Sequence, residues 1–400
     1  MKKFYILLLS LLALNSINAQ NWTSQASGTL HCLNSVFFAN AATGYAVGDS
    51  GTILKTTNGG SKWTIQASGN SWGLYCVYFI GEDTGWAAGD AGEILRTTNG
   101  GATWEPQALA TYVYRLHSVC FTDVNTGYVV GAGSSTCCGA LEKTTDGGFV
   151  WPYLSGVGNN WLESLCFTDV NTAYAVGDSG TIIKATDAGT NWGFQISGTK
   201  HNLYSVYFTG IDTGYAAGDS GTILKTANGG TDWFAHAPGI SEELHAVFFP
   251  DANTGYTAGR KGTILKTTNG GTGWSELDSG TENDLFSVYF TDVNTGYAVG
   301  DHGLILKTTN GGVGIKNAAS VPCETMKIYP NPVKDRFTLV ISAVKGNTRL
   351  TISDISGKEL MNQQIRGCKT HMDISSLPPG FYFMRLINEN NTEVGKIIKE

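Results

Sequence analysis

The sequence predicts an all-β protein, and three observations carry that prediction. One segment recurs seven times, with a spacing of about 41 residues. Each copy holds four short runs of β-branched and aromatic residues, separated by Gly, Asn, Asp and Ser. Glycine accounts for 52 of the 400 residues, which implies many tight turns. Four short strands per unit of this length indicate one blade of a β-propeller, so we expect a seven-bladed β-propeller.

The repeated segment reads L-x-S-V-x-F, followed by T-G-Y-A-V-G-D-S-G-T-I-L-K-T-T-N-G-G-x-x-W. In the first copy the predicted strands begin at Leu33, Tyr45, Thr52 and Trp63. The aromatic residue of the second run marks each copy and fixes the count. These markers are Tyr45, Trp86, Tyr128, Tyr174, Tyr215, Tyr256 and Tyr297.

The tryptophan that begins the fourth run bears on how the ring closes. The seventh copy ends near Gly314 without one, and the matching run, Asn21-Trp22-Thr23-Ser24-Gln25, lies at the other end of the chain. We therefore expect the N-terminal strand to complete the last blade, which leaves no open sheet edge between the first and last blades. The repeat tryptophans are Trp22, Trp63, Trp104, Trp151, Trp192, Trp233 and Trp274.

The turn before the fourth run fits the Asp-box pattern S/T-x-D/N-x-G-x-x-W, as in Thr56 to Trp63. Asn58 is expected to cap backbone N–H groups of a tight turn, and the glycines to accept positive φ. Trp63 is expected to bury its ring against the blade. The motif therefore indicates a scaffold rather than an activity.

Composition excludes several classes of function. Residues 20–314 hold 12 Lys and Arg against 25 Asp and Glu, a net charge of −13, whereas residues 315–400 hold 12 against 8. The acidic part is therefore not expected to bind nucleic acid. The eight cysteines form no C-x-x-C pair, so we predict neither a zinc or redox motif, nor a metal site, nor a cofactor.

Four regions are expected along the chain. Residues 1–19 have the basic start and short apolar run of a secretory signal peptide, cleaved after Ala19, with a buried N-terminal helix as the alternative. Residues 20–314 form the propeller, residues 315–325 a linker and residues 326–400 a small Ig-like β-sandwich. No other apolar run approaches the roughly 20 residues of a transmembrane helix, so none is expected. Strands of the small domain are expected near 336–342, 348–355, 359–365, 380–387 and 393–399.

Alternating strand direction gives the propeller two faces. The loops from the first to the second run and from the third to the fourth form the first face, which is monotonous. The remaining loops form the variable face, which differs between copies. Aromatic and polar side chains there suit a protein or glycan ligand, and the alternative is that these rings pack locally. The candidate ligand-binding residues are Trp72, Tyr112, Tyr114, Trp161, His31 and His201.

Two repeated polar positions receive structural interpretations. The aspartate between the second and third runs is interpreted as a turn residue, with a ring of carboxylates as the alternative. The basic residue of the third run is interpreted as solvated or ion-paired. The aspartates are Asp49, Asp90, Asp178, Asp219 and Asp301, and the basic residues are Lys55, Arg96, Lys143, Lys184, Lys225, Lys266 and Lys307.

The cysteines divide by position. Cys76, Cys120 and Cys166 occupy places that other copies fill with Ser, Ala, Phe or Tyr, and are interpreted as core residues. Cys137 and Cys138 lie in a five-residue insertion. In an exported protein they are candidates for a disulfide, either with each other or with another cysteine, and the sequence does not decide the connectivity.

Signatures of catalysis are absent from the sequence. No G-x-S-x-G, H-E-x-x-H, Walker or Rossmann motif occurs in context. A sialidase-type site needs several converging arginines, and residues 20–314 contain only Arg96, Arg115 and Arg260. The D-x-N-T-G loops lack the acidic ligands of a calcium loop. A glycan hydrolase using two carboxylates on the variable face is the alternative to a binding protein. A structural surface-layer component is a third hypothesis.

The last 75 or so residues resemble the C-terminal sorting domain of the type IX secretion system of Bacteroidota. The resemblance implies passage across both membranes with the secretion machinery as a partner. It also implies removal of the tail, followed by release or attachment to the cell surface. The matching segments are residues 328–333 (I-Y-P-N-P-V), 352–358 (I-S-D-I-S-G-K), 374–382 (I-S-S-L-P-P-G-F-Y) and 396–399 (K-I-I-K).

The repeats of residues 21–314 resemble the photosystem II stability and assembly factor family of seven-bladed propellers, through G-Y-A-V-G-D-S-G-T-I-L-K-T-T-N-G-G-x-x-W. This resemblance implies the same architecture and the binding of a protein partner without catalysis. We therefore interpret the chain as a secreted or surface-displayed propeller that binds a protein or a glycan.

Overall fold

The computed structural model describes residues 22–109, 113–133, 139–154, 158–236, 238–312, 326–341, 348–354, 358–365, 367, 369–388 and 391–400. They separate into two compact units, one within residues 19–314 and one within 315–400. The predicted signal peptide, the predicted linker, Tyr112, Cys137 and Cys138 lie outside the described residues. Both units are built from β-sheets whose strands pair antiparallel, except for one parallel pair in the larger unit.

The first strands of the larger unit alternate in burial, whereas the second strands are buried almost throughout. In the first copy, Leu33, Val36 and Phe38 of the first strand are buried, whereas the second strand, Gly44–Gly48, is buried along its whole length. Gly48 has no room for a side chain, because a Cβ there would lie 1.9 Å from the carbonyl oxygen of Cys32. The strands are β1 (Thr23–Gln25), β2 (Leu33–Phe38), β3 (Gly44–Gly48), β4 (Thr52–Thr56), β5 (Thr64–Gln66), β6 (Leu74–Ile80), β7 (Thr84–Gly89), β8 (Ile94–Thr97), β9 (Glu105–Leu109), β10 (Val113–Phe121), β11 (Gly127–Gly133), β12 (Gly139–Thr144), β13 (Val150–Trp151), β14 (Leu162–Phe167), β15 (Ala173–Gly177), β16 (Thr181–Ala185), β17 (Gly193–Gln195), β18 (Leu203–Phe208), β19 (Gly214–Gly218), β20 (Ile223–Thr226), β21 (Phe234–His236), β22 (Leu244–Phe248), β23 (Gly255–Gly259), β24 (Ile264–Thr267), β25 (Ser275–Leu277), β26 (Leu285–Phe290), β27 (Gly296–Gly300) and β28 (Ile305–Thr308).

Short 3₁₀ turns join the second and third strands of five copies. In the first, the N–H of Thr52 donates to the carbonyl of Asp49 and Ser50 adopts φ 56°. The turn is thus closed by backbone atoms. The 3₁₀ turns span Asp49–Gly51, Asp178–Gly180, Asp219–Gly221, Arg260–Gly262 and Asp301–Gly303.

Strands of the larger unit pair into sheets that follow chain order. The strand formed by the first run of each copy contacts the corresponding strands of two neighbouring sheets. For example, β2 contacts both β6 and β26. We call these the inner strands: β2, β6, β10, β14, β18, β22 and β26. The described sheets have the orders β2-β3-β4-β5, β13-β9-β8-β7-β6, β10-β11-β12, β14-β15-β16-β17, β18-β19-β20-β21, β22-β23-β24-β25 and β1-β28-β27-β26.

The N-terminal strand pairs with the last strand of the larger unit. Thr23 of β1 lies opposite Lys307 of β28 in an antiparallel ladder. Trp22 is 1% exposed, and its ring meets that of Phe290 edge-on, with centroids 5.9 Å apart. Trp63 meets Phe38 in the same way at 6.0 Å within the first sheet. Trp22 therefore occupies in the last sheet the place that Trp63 occupies in the first.

The turn before each fourth strand is held by side chains. The hydroxyl of Thr56 donates to Oδ1 of Asn58 and accepts the N–H of Gly60. Oδ1 of Asn58 also accepts the N–H of Lys62. A Cβ on Gly60 would lie 2.7 Å from the ring of Tyr297 in the adjacent sheet, so this turn packs directly against its neighbour.

The repeat lysines bond across the interfaces between sheets. Nζ of Lys55 donates to the carbonyl of Gly100 in the next sheet at 2.6 Å, and the hydroxyl of Tyr45 donates to the same oxygen at 2.9 Å. We call this arrangement the carbonyl clamp. The interpretation of these lysines as solvated or ion-paired is therefore wrong, because their donors are used by a backbone acceptor. The clamp recurs as Tyr128 and Lys143 on Ala188, Tyr174 and Lys184 on Gly229, Tyr215 and Lys225 on Gly270, Tyr256 and Lys266 on Gly311, and Tyr297 and Lys307 on Gly59.

The third copy departs from the pattern of four strands in one sheet. Its fourth run, β13, pairs in parallel with β9 of the preceding sheet. Pro152 follows Trp151, and its missing N–H interrupts a ladder at this point. The segment returns to its own sheet when the N–H of Lys143 donates to Pro152 and that of Leu154 donates to Leu141.

Three of the described cysteines lie on the inner strands and carry free thiols. Cys76 is buried, and Cys120 and Cys166 pack against the cores of their interfaces, as the sequence predicts. Burial raises the pKa of the Cys76 and Cys120 thiols to about 12 and that of Cys166 to about 11.

The smaller unit consists of two sheets around one core that includes Phe337, Leu339, Ile352 and Met384. Two strands of the smaller unit were not predicted from the sequence. Met326–Tyr329 was obscured by the prolines that follow it, and in Lys369–Asp373 only Met372 is buried, so the hydrophobic alternation is weak. The strands are β29 (Met326–Tyr329), β30 (Arg336–Ile341), β31 (Arg349–Ser353), β32 (Glu359–Gln364), β33 (Lys369–Asp373), β34 (Gly380–Asn388) and β35 (Asn391–Lys399), in the orders β29-β30-β33 and β32-β31-β34-β35.

Candidate binding site at the inner rim

The residue that follows the leucine of L-x-S-V-x-F is a β-bulge residue in every inner strand. In β2, Leu33 lies opposite Gly48 and Ser35 opposite Val47, so Asn34 is the extra residue between them. A bulge releases a residue from the ladder and redirects its side chain, and bulges are common at the rims of β-structures beside binding sites. We call these residues the inner rim: Asn34, Tyr75, His117, Glu163, Tyr204, His245 and Phe286.

The inner rim was missed by sequence reasoning, although a signal exists. The loops of the variable face were compared between copies, but not the first x of L-x-S-V-x-F. That x differs in chemistry between copies while its neighbours hardly change. Packing of the sheets therefore does not determine the residue type at this position. The position lies near the loop that leads into the inner strand, and that loop belongs to the variable face.

In the second and third sheets the rim is organised by an arginine. Nε of Arg115 lies 2.9 Å from Oδ1 of Asp90, and its guanidinium stands 4.7 Å from the centre of the Tyr75 ring. The hydroxyl of Tyr75 donates to Oδ2 of the same Asp90 at 3.2 Å. Burial and the Asp90 charge raise the pKa of Tyr75 to about 12, against the opposing effect of Arg115. The phenol is therefore a neutral donor at physiological pH.

A histidine and a glutamate meet between the third and fourth sheets. Nδ1 of His117 lies 2.6 Å from Oε2 of Glu163, and the two side chains are 11% and 18% exposed. Burial, followed by the charge of Glu163, raises the pKa of the Asp178 carboxyl, while His117 lowers it. Two carboxyl groups are thus held close enough to influence each other in a partly dry site, at a cost in stability that an apolar rim would avoid.

The opposite side of the rim is formed by the fifth, sixth and seventh sheets. The hydroxyl of Tyr204 donates to Oδ1 of Asp219 at 2.5 Å, and its ring meets His245 edge-on at 5.6 Å. Nδ1 of His245 lies 3.1 Å from the carbonyl oxygen of Leu285. The imidazole also stacks on the Phe286 ring, with centroids 5.3 Å apart. This side therefore presents aromatic surface with polar edges.

The turn aspartates serve the rim as well as the turns. Oδ1 of Asp49 accepts the amide of Asn34, and Asp90 and Asp219 accept rim tyrosine hydroxyls. Oδ1 of Asp301 accepts the thiol of Cys32. Backbone hydrogen bonds close these turns without the carboxylate groups. The interpretation of the aspartates as turn residues therefore leaves the contacts of these four carboxylates unexplained. Asp49, Asp90 and Asp219 hold rim side chains, whereas Asp301 holds the thiol of Cys32 beside the rim.

Among the predicted ligand-binding residues, two come together. Tyr114 is 50% exposed, and its ring lies 6.4 Å from that of the half-buried Trp161. Trp72 is 53% exposed. His201 is exposed, and its Nδ1 lies 2.8 Å from the hydroxyl of Thr222. Tyr112 belongs to the residues that the structure does not describe, so its role stays a prediction, as does ligand binding by the others.

A shallow groove of about 640 Å³ lies on the variable face of the first sheet. His31 lines it together with Ser50, Gln66 and Ser71. Trp72 follows Ser71 directly in the chain. The groove brings one predicted binding residue next to polar side chains from two successive loops.

Within the described ranges, no group of three or more His, Cys, Asp or Glu side chains is arranged to hold a metal ion. The described part of the chain also contains no helix of the length and apolar character that crossing a membrane requires.

Solved structures share the fold of this chain at low identity. YCF48 bound to D1 peptide has a TM-score of 0.61 and 20% identity, covering 72% of this chain and 95% of that one. A GH74 xyloglucanase from Xanthomonas campestris has a TM-score of 0.59 and 15% identity, covering 80% and 59%. PorZ, a bacterial surface component of the type-IX secretion system of Porphyromonas gingivalis, has a TM-score of 0.55 and 12% identity, covering 91% and 59%. No curated protein matches the sequence.

Two family models match the sequence. Residues 327–400 match the secretion system C-terminal sorting domain, which confirms the expected type IX sorting tail and implies export to the cell surface or beyond. The model described as photosynthesis system II assembly factor YCF48 matches residues 14–113, 155–227 and 229–329, more than half of the chain. This chain therefore belongs to the photosynthesis system II assembly factor YCF48 family.

Proposed function

We propose that the chain is an exported binding protein, which holds a polypeptide or glycan ligand at the inner rim and the surrounding loops of its variable face. Residues 20–314 form a seven-bladed β-propeller closed by the N-terminal strand. Residues 1–19 are a signal peptide, residues 315–325 a linker and residues 326–400 the sorting domain.

The bulged inner rim is the observation that carries this proposal. A bulge gives up ladder hydrogen bonds, yet one occurs at the same position of the repeated segment in every inner strand. The residues it presents are aromatic, imidazole, amide and carboxyl groups, held by neighbours such as Asp90 and Asp219. Preorganised polar groups beside aromatic surface are typical of ligand sites.

The closed propeller is supported by contacts between the last and first sheets of the larger unit. Trp22 and β1 complete the last sheet. The carbonyl clamp joins Tyr297 and Lys307 to Gly59 with the same atoms that join successive sheets elsewhere. Seven sheets within the described residues fit one blade per sequence repeat.

A polypeptide is the first candidate for the ligand. The similar YCF48 structure is bound to a peptide, and the exposed pair Tyr114 and Trp161 offers broad apolar contact area with polar edges. A glycan suits the same aromatic surface, so the class of ligand is a matter for direct screening.

A glycan hydrolase is the second candidate, and one observation favours it. Glu163 and Asp178 influence each other, and the pKa of Asp178 is raised by burial and by Glu163. Glycosidic hydrolysis uses two carboxyl groups, and a raised pKa suits the one that acts as general acid. Against this candidate, Glu163 is paired with His117 at 2.6 Å.

Screening the full chain on peptide and glycan arrays and against chromogenic glycosides tests these proposals. Binding at the rim predicts a saturable ligand whose affinity falls at least about tenfold in Glu163→Gln and Phe286→Ala. The first-face variant Lys62→Gln is the matched control and should bind normally. Turnover that disappears in Glu163→Gln and Asp178→Asn would establish the hydrolase instead. No saturable ligand in any screen would favour a purely structural surface component.

A further inference from the structure

One interface between sheets lacks the carbonyl clamp. In the sheet β6 to β9, Trp86 stands in place of the clamp tyrosine and Arg96 in place of the lysine. Nε1 of Trp86 donates to the carbonyl of Gly147 at 3.2 Å. The acceptor that a lysine would use therefore already has a donor, and Arg96 does not repeat the role of the lysines.

Arg96 retains unused hydrogen-bonding capacity. Among the described residues it donates to no acceptor and forms no ion pair, and its Nε is buried without a partner. The guanidinium lies 4.8 Å from the centre of the Phe149 ring and 6.0 Å from that of Trp86. Rings on two sides hold the cation in place, while the N–H edge is what a carboxylate would engage.

An apolar patch lies beside this guanidinium on the first face. Phe149 is 60% exposed, and Val150 and Val124 are each 51% exposed. The carbonyl oxygen of Val124 lies beside Gly147, two residues before Phe149, so the two loops that carry these side chains are adjacent on the first face. The first face, expected to be monotonous, is therefore distinct in the third copy. The five other copies that keep the tryptophan have polar or small residues at the two turn positions: Ser61 and Lys62, Ala102 and Thr103, Thr190 and Asn191, Thr231 and Asp232, and Thr272 and Gly273.

We propose that Arg96, Phe149, Val150 and Val124 form a docking site for an acidic, apolar segment of a partner polypeptide. A carboxylate of the segment forms a bidentate pair with the Arg96 guanidinium, and its apolar neighbours cover Phe149 and the valines. This site lies on the opposite face from the inner rim. Its test therefore does not depend on whether the rim binds a ligand.

The aspartates in the two loops of this patch are used within those loops. Oδ1 of Asp146 accepts the hydroxyl of Thr144 and the N–H groups of Phe149 and Val150. Oδ1 of Asp123 accepts two N–H groups of its own loop. Both are committed to turns, and within the described residues neither forms an ion pair with Arg96. A basic segment attracted by Asp123 and Asp146 is the competing occupant, and the test separates the two.

The test uses the full chain with ¹⁵N-labelled arginine and two probe peptides, acetyl-Leu-Glu-Phe-Glu-Leu-amide and its Lys counterpart. The Nε–H resonance of Arg96, assigned with Arg96→Lys, is followed during titration. The proposal predicts a saturable shift with the Glu peptide. Fluorescence anisotropy of the dye-labelled peptides measures the affinity of each variant, and we expect no detectable binding in Arg96→Lys and about tenfold weaker binding in Phe149→Thr. Phe149→Thr restores the residue of the fourth to sixth copies, and Lys184→Arg at an intact clamp is the control that binds normally.

Three results would overturn the proposal. One is the absence of a saturable shift, and another is equal binding of the Glu peptide by Arg96→Lys. The third is equal or tighter binding of the Lys peptide, which would assign the patch to a basic partner. A shift that depends on protein concentration alone would assign it to a second copy of the chain and overturn the proposal as well.

Discussion

The hydroxyl of Tyr297 donates a 2.8 Å hydrogen bond to the backbone carbonyl of Gly59, which precedes it by 238 residues. Lys307 donates to the same oxygen at 2.6 Å. The same two bonds join the fifth sheet to the sixth, from Tyr215 and Lys225 to Gly270. The contact between the ends of the larger unit is thus chemically the same as a contact between consecutive sheets.

This equivalence predicts equal effects of clamp removal at the two places. Tyr297→Phe with Lys307→Met removes two hydrogen bonds to a buried carbonyl, and we expect a loss of about 2 kcal/mol in the free energy of unfolding. Tyr215→Phe with Lys225→Met is the matched control. Urea denaturation of the two double variants measures both losses. A negligible loss for the first pair beside a clear loss for the second would contradict closure through Gly59.

Trp22 provides a second test of the same contact. Its ring is buried against Phe290, so Trp22→Ala should lower the free energy of unfolding by about 3 to 5 kcal/mol. Trp63→Ala, which removes the equivalent ring from the first sheet, should cost a similar amount. Calorimetry of the two variants is the measurement. A loss below about 1 kcal/mol for Trp22→Ala would show that the N-terminal strand is dispensable.

The clamp tyrosines predict an alkaline limit to stability. Burial raises the pKa of Tyr45, Tyr174, Tyr215 and Tyr297 to about 12, above the ordinary value near 10. A raised pKa stabilises the folded state below pH 10, and this contribution is lost as the pH rises from about 10 towards 12. The clamp tyrosines should therefore ionise only together with unfolding. Reversible phenolate absorbance of every tyrosine near pH 10, with sheet structure intact by circular dichroism, would contradict this.

Two aspartates should respond to amidation in opposite directions. The pKa of Asp178 is raised by burial and by Glu163, so its charge destabilises the fold as the pH rises through that value, and Asp178→Asn should raise the Tm at pH 7. The pKa of Asp123 is lowered by the N–H groups of Asn125 and Thr126, so its charge stabilises the fold above its ordinary pKa. Asp123→Asn should lower the Tm at pH 7.

Thermal melts at pH 7 and pH 3 measure both effects, which should shrink at pH 3 because the carboxyl groups gain protons. A lowered Tm for Asp178→Asn at pH 7 would show that the carboxylate has a structural role. A raised Tm combined with weaker ligand binding would show that the rim keeps this charge for function, at a cost in stability.

The sequence predicted the β architecture because its patterns have local causes. Alternating burial and glycine turns recur in every copy, and the strands of the first copy lie within a residue or so of their expected positions. The carbonyl clamp is invisible to such reasoning, because Lys55 meets Gly100 only when two sheets pack together. The bulge that presents His117 depends on the pairing between β10 and β11. Pairing register depends on both strands, so the sequence of one strand alone does not determine it.

The candidate site was predicted only in its position on the molecule. Comparison of the loops between copies pointed to the variable face, and Tyr114 and Trp161 do meet there. The rim residues were overlooked because each stands within a strand, where a single variable letter resembles ordinary tolerance of the scaffold. Arg96 occupies the position of the repeat lysine, so the sequence pattern indicates the same role for both and hides the difference.

Photo-cross-linking from the rim tests the central claim most directly. A benzophenone side chain is placed at Phe286 of the inner rim or at Phe194, which is 60% exposed on the fourth strand of its sheet. Each full-length variant is irradiated with the ligand identified on the arrays. Binding at the rim predicts a saturable adduct from position 286 and none from position 194. Adducts from position 194 alone, or from neither while the ligand still binds, would contradict the account.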